Sequence, residues 1–146
     1  MIGTKQWVYL DACIVIYLVE QKNDYWRSLQ QHFETYVNQG HQFVVSELTR
    51  MECLTQPLRQ KNALLHEAFE RFFNSNTHVI ADLKRPVFDL ATHLRANHSL
   101  KTPDALHLAA AIHYGCHEFW TNDHRLQKAA SDHLQVINLF APQGTA

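Results

Sequence analysis

The 146-residue chain contains only four glycines and four prolines, and neither residue clusters. No low-complexity tract or internal repeat is present, which excludes linker-rich and disordered classes. Cysteine is also scarce: Cys13, Cys53 and Cys116 are an odd number with no C-x-x-C pair. No disulfide framework is expected, and a reducing cytoplasm suits such a chain. A basic excess is missing as well. Lys and Arg total 13 against 14 Asp and Glu, for a formal net charge of -1. A polyanionic partner would therefore be held by local charge or by a bound cation. The longest near-continuous apolar stretch, Trp7 to Val19, is interrupted by Asp11. It is too short and too acidic to span a membrane, and the N-terminus lacks a charged-then-apolar leader pattern. A cytoplasmic protein with no membrane association is expected. No GxxxxGK[ST] loop is present, which argues against an NTPase.

Hydrophobic residues make up 46% of the chain and charged residues 18%, enough for a real core. The length suits one domain covering residues 1–146. The 11 histidines are read as mostly exposed, giving a chain that turns cationic in mild acid.

Short apolar runs predict strands at Trp7–Leu10, Gln42–Val45, Thr77–Ile80, Glu118–Thr121 and Gln135–Leu139. Between them lie helical patterns. Cys13–Val19 reads as a short buried helix. Asn23 or Asp24 caps a second helix carrying Trp26, Leu29, Phe33, Tyr36 and Val37, closed by Gly40. Ser46 caps a third, with Leu48, Met51 and Leu54 as its stripe and Pro57 at its end. A fourth covers Asn62–Phe73 with Leu64, Leu65, Ala68, Phe69, Phe72 and Phe73. Pro86 opens a fifth, and the Thr102-Pro103 cap signal opens a sixth, closed by Gly115. Asn122-Asp123 begins a last short helix. Alternating strands and helices predict a three-layer α/β/α domain around a parallel sheet of about four to five strands. Right-handed crossovers put the strand C-termini on one edge, where ligands bind in such sheets.

Four acids fall near that edge. Asp11 follows the first strand and Asp123 the fourth. Asp104 lies in the first turn after Thr102-Pro103. Glu52 lies roughly 9 Å along its helix from Ser46. Each has an ordinary structural role open to it: Asp104 suits a helix dipole, Asp123 a turn, and Glu52 a solvated face. Asp11 is different, because it interrupts a buried apolar run where an unpartnered carboxylate is costly. Clustered carboxylates repel and raise one another's pKa values. A divalent cation removes that conflict, and carboxylate oxygens suit Mg²⁺ or Mn²⁺. Such a cation can drive phosphodiester hydrolysis.

Four blocks carry a resemblance: Val8-Tyr9-Leu10-Asp11-Ala12, Ser46-Glu47-Leu48-Thr49-Arg50-Met51-Glu52, Asp104-Ala105-Leu106-His107-Leu108-Ala109, and Thr121-Asn122-Asp123. In this order the chain resembles the PIN domain family, and within it the VapC-type toxins of toxin–antitoxin pairs. The match runs from about Val8 to Leu139. The resemblance implies a small parallel sheet between helices and Mg²⁺- or Mn²⁺-dependent cleavage of RNA. It implies that Asp11, Glu52, Asp104 and Asp123 are the metal-site residues and that Thr121 is a polar neighbour orienting a carboxylate or water. It further implies a homodimer and a small antitoxin partner. Glu47 competes with Glu52, but the two lie about 140° apart on a helix and cannot face one metal equally. Where some members carry a further acid after the Thr-x-Asp element, this chain has His124 and Arg125, which implies a weakly held or substrate-dependent second metal.

Arg50, Lys101, Arg125 and Lys128 lie near the edge by sequence and can meet phosphates, although solvated surface charge is the plainer reading. His124 is read as an exposed side chain. His113, Cys116 and His117 lack standard zinc spacing. The Phe69-Phe72-Phe73 stripe reads as core or dimer interface. A receiver or phosphatase-like domain could also keep an acid after its first strand, but a phosphatase of that type would need a second one where Cys13 stands. A solitary RNA-processing enzyme of the same family and a non-catalytic binding module are the remaining alternatives.

Overall fold

The computed structural model describes residues 5–22 and 24–138. Asn23, one of the two cap candidates, and Leu139, the expected end of the last strand, lie outside the described residues. The chain runs β1 Trp7–Leu10, α1 Ala12–Glu20, α2 Trp26–Asn38, β2 Gln42–Ser46, α3 Glu47–Arg59, α4 Ala63–Phe73, β3 His78–Ala81, α5 Arg85–His98, α6 Thr102–His113, β4 Glu118–Thr121, α7 Leu126–Ala130 and β5 Gln135–Asn138. The strands form one parallel sheet in the order β3-β2-β1-β4-β5.

β1 is central and buried on both faces, which is why its sequence is continuously apolar. Val8 and Leu10 enter a core with Ile14, Leu29, Phe43, Phe69 and Trp120. Tyr9 enters the opposite core with Val44, Ala91, Leu108 and Phe119. Helices α1, α2 and α4 cover the first face, and α5, α6 and α7 the second. The α/β/α arrangement expected from the sequence is therefore the one observed. Phe69 and Phe73 are buried, so the phenylalanine stripe is core.

Strand order reverses between β1 and β4. A crevice forms beyond the C-terminal ends of the strands at such a point. Asp11 stands there after β1, and its N–H bonds the Trp120 carbonyl at 3.0 Å, carrying the β1–β4 ladder one residue past the strand. Thr121 ends β4 beside it.

Gly40 and Gly115 have φ of 83° and 73°, and each closes a helix with a paired cap. After α2 the bonds are Gly40 N–H to Val37 and His41 N–H to Tyr36, both 3.0 Å. After α6 they are Gly115 to Ile112 at 3.1 Å and Cys116 to Ala111 at 2.9 Å. α3 ends the same way on Lys61, with φ of 54°.

Several boundaries differ from the sequence reading. α3 continues past Pro57 to Arg59. A proline in the last turn forfeits one backbone bond while keeping a helical φ. Thr102 is the first residue of α6, not its cap; Lys101 holds the cap position without a side-chain bond. Tyr25, not Asp24, precedes α2 in the same way. α7 starts at Leu126 because the Asp123 carboxylate accepts the Arg125 N–H at 3.0 Å, a turn contact that delays the helix. β3 begins one residue later than expected. Met51 and Leu64, read as stripe members, are 59% and 80% exposed. The buried side of α3 is instead Thr49, Cys53, Leu54 and Pro57.

Candidate active site

Asp11 is the N-cap of α1. Its Oδ1 accepts the Ala12 N–H at 2.8 Å, and its Oδ2 accepts the Thr121 hydroxyl at 2.8 Å. The side chain is 15% exposed. These bonds to a charged acceptor offset the cost of placing a carboxylate in an apolar run. The same Thr121 oxygen accepts the Asp123 N–H at 3.1 Å. One buried hydroxyl therefore ties the ends of β1 and β4 together.

Glu52 reaches the edge from α3. Its Oε1 contacts His107 Nε2, and that nitrogen lies 3.9 Å from Asp11 Oδ1. Donor atoms of Asp11, Glu52 and His107 all lie within 4.8 Å of one another. Glu47, in the first turn of α3, is exposed. Helix phase thus brings Glu52 to the cluster.

His107 was absent from the site residues read from sequence. A histidine within an alanine- and leucine-rich helix reads as core, and it is indeed 1% exposed. The available signal was its spacing, since Asp104 and His107 are three apart and share a helix face. Nδ1 of His107 lies 2.7 Å from the Tyr9 hydroxyl. Tyr9 in turn lies 2.9 Å from Ser46 Oγ and 3.5 Å from Thr49 Oγ1.

Asp104 sits half-buried at the start of α6. Burial first, and then the charges of Asp11 and Asp123, push its carboxyl above the usual range, against the pull of His107 and Arg125. Asp123 behaves oppositely. Arg125 clamps it with Nε and Nη2 at 2.8 and 2.6 Å, which holds its carboxyl below the usual range. Lys101, Asp104, Asp123 and Arg125 line a hollow of about 200 Å³. Larger hollows at Gly115–Val136, at Pro57–Glu67 and at Phe88–Leu106 touch none of these acids, so size does not locate the chemistry.

Arg50 is engaged elsewhere, pairing with Glu70 of α4 at 2.5 Å. His124 and Lys128 are exposed. His78 and His107 are buried, while six of the 11 histidines are exposed. Among the described residues, the one cluster of three or more metal-ligating side chains is Asp11, Glu52 and His107, so His113, Cys116 and His117 make no zinc group. All three cysteines are free, and burial pushes the Cys13 and Cys116 thiols up to about 12. They remain protonated and unreactive. No helix among the described residues is long and apolar enough to cross a membrane.

The donor set fits a hard divalent cation. It is dominated by carboxylate oxygens, and the push on Asp104, from burial first and then from the charges of Asp11 and Asp123, is one that a bound cation relieves. Solved structures share the fold. A VapBC2 complex from Rickettsia felis bound to a DNA fragment from their promoter superposes with TM-score 0.74 at 15% identity, covering 90% of this chain and 98% of that one. A toxin-antitoxin complex from Klebsiella pneumoniae gives 0.68 at 22% identity, covering 91% and 98%. FitAcB from Neisseria gonorrhoeae gives 0.65 at 16% identity, covering 92% and 99%. No curated protein matches the chain. The PIN domain profile matches residues 8–132, and the chain belongs to the PIN domain family.

Proposed function

We propose that this protein is a Mg²⁺- or Mn²⁺-dependent endoribonuclease and the toxin component of a toxin–antitoxin pair. The observation that carries this reading is the convergence of acids from separate elements at the β1–β4 switch point. Asp11, Glu52, Asp104 and Asp123 would hold the cation. When bound, the cation supplies water activation and charge stabilisation at a phosphate. Thr121 orients Asp11 through its hydroxyl. Lys101 and Arg125, lining the hollow beside Asp104, are placed to meet substrate phosphates. Arg125 gains this role by exchanging part of its clamp on Asp123 for a phosphate oxygen, a bidentate geometry that guanidinium suits equally.

The toxin assignment is supported by the likeness to the toxin-antitoxin complex from Klebsiella pneumoniae and by the motif blocks that resemble VapC-type toxins. It brings with it a small antitoxin partner, a homodimer and a cytoplasmic setting. A solitary RNA-processing nuclease has the same site, and an adjacent small gene for a DNA-binding antitoxin separates the two.

The test is cleavage of RNA by purified protein with Mg²⁺ or Mn²⁺. Asp11→Asn and Asp104→Asn should each lose activity by at least about 10²-fold and relieve growth arrest on expression. Full activity in either variant removes the metal-site assignment. EDTA should abolish cleavage while leaving the circular dichroism spectrum unchanged. Unfolding by EDTA would instead mean a structural metal.

A further inference from the structure

His107 is a buried titratable group that the metal-site reading does not use, and its surroundings are specific. Nε2 contacts the Glu52 carboxylate, and Nδ1 meets the Tyr9 hydroxyl at 2.7 Å. Among the described residues, no buried side-chain nitrogen or oxygen lacks a partner. An ionised carboxylate only accepts, so Nε2 must carry the proton that it donates to Glu52. In the neutral ring Nδ1 then accepts, and the Tyr9 hydroxyl donates to it. Tyr9 is fully buried in β1, and its oxygen receives support from Ser46 Oγ at 2.9 Å. Ser46 is itself fixed, because it caps α3 through a reciprocal bond pair with Thr49. The chain Ser46–Tyr9–His107–Glu52 thus starts at the cap of α3 and returns to Glu52 on the same helix.

We propose that His107 is a positioning residue that orients Glu52 toward the cation, with Tyr9 setting its tautomer. The proposal rests on the metal-site reading above. Glu52 is the most exposed member of the three-residue cluster, 31% against 15% for Asp11 and 2% for His107. Glutamate has one more rotatable bond than aspartate, and Glu52 carries no backbone cap bond of the kind that pins Asp11. A buried imidazole donor supplies the constraint that the helix alone does not. Partners behind a metal ligand characteristically change affinity by about 10- to 100-fold when removed.

Mn²⁺ binding to the full chain, followed by calorimetry, tests this. Wild type should bind. His107→Ala should bind about 10- to 100-fold more weakly, and Tyr9→Phe, which keeps the ring and the packing, about 10-fold more weakly. His107→Gln, which keeps a side-chain N–H donor, should recover most of the affinity. Thermal melts accompany each variant, and Tyr9→Phe carries the test if His107→Ala does not fold. Pulsed EPR of bound Mn²⁺ should show no directly coordinated nitrogen. A directly coordinated nitrogen would make His107 a ligand and overturn the positioning role. Wild-type affinity in both His107→Ala and Tyr9→Phe would overturn it too. Failure of wild type to bind Mn²⁺ would instead remove the metal-site reading on which it stands.

Discussion

Asp11 carries two structural bonds besides its proposed chemistry, and this decides which substitution is informative. Asparagine caps a helix as well as aspartate does, whereas alanine loses about 1 kcal/mol. Asp11→Asn should therefore melt close to wild type while failing to cleave, and Asp11→Ala should lose stability as well as activity. A urea titration of both variants separates the two effects. His78 offers a different residue-scale prediction. Its Nε2 bonds the Phe73 carbonyl at 3.1 Å and its ring stacks on Phe72 at 4.9 Å. Burial draws its pKa below the ordinary 6.5. Above that value both folded and unfolded rings are neutral. As pH falls through it, the unfolded chain takes the proton first, so stability is lost. His78→Gln keeps a donor but cannot titrate. Its unfolding free energy should fall less steeply on acidification, by up to about 1.4 kcal/mol per pH unit. Parallel curves for the two proteins would show that His78 is not a source of acid sensitivity.

At the scale of elements, three helices end on the same paired cap, but only two use glycine for the left-handed residue. α3 uses Lys61. A side chain at Gly40 or Gly115 would meet nothing within 4 Å, so the cost of adding one is conformational rather than steric. Gly115→Ala should destabilise by about 1 kcal/mol, and Lys61→Gly should stabilise by somewhat less, since glycine also loses more chain entropy on folding. Chemical denaturation with unchanged m-values checks both. A destabilised Lys61→Gly protein would mean that the lysine side chain contributes more than the strain costs.

These elements also show what a sequence can convey. β1 and β2 were legible because strands buried on both faces leave apolar runs, Trp7–Leu10 and Phe43–Val45, and β4 showed only the shorter pair Phe119-Trp120. Gly40 and Gly115 marked helix ends because few other residues tolerate their φ. Pro57 misled because its cost depends on position within a turn. Thr102 misled because a hydroxyl before proline is capable of capping without doing so. At the site, Asp11 stood out through its apolar setting, and Asp104 and Asp123 through motif blocks. His107 did not, because a buried histidine within a helix looks the same in sequence whether it supports a carboxylate or fills space. Tyr9 was hidden for the same reason: its hydroxyl matters only through partners on three other elements.

For the whole molecule, a net charge of -1 means that RNA cannot be held by bulk attraction. On the proposed function, retention would depend on Lys101, Arg125 and a bound cation. Lys101→Ala should weaken RNA binding across sequences and reduce the slope of log affinity against log salt by about 0.7. Fluorescence anisotropy at several salt concentrations with Ca²⁺ in place of Mg²⁺ measures this without cleavage. An unchanged slope would place the phosphate track elsewhere on the surface.

The hydroxyl that joins Asp11 to Thr121 spans 110 positions of chain. A ribosome making this protein emits Asp11 well before Thr121, which lies 110 positions further along. Until β4 has left the exit tunnel, β1 lacks one of its two neighbours and the acids remain apart. On the proposed function, the growing polypeptide would pass through synthesis harmless to the message that encodes it, and would gain its reactive edge only once β4 docks on β1.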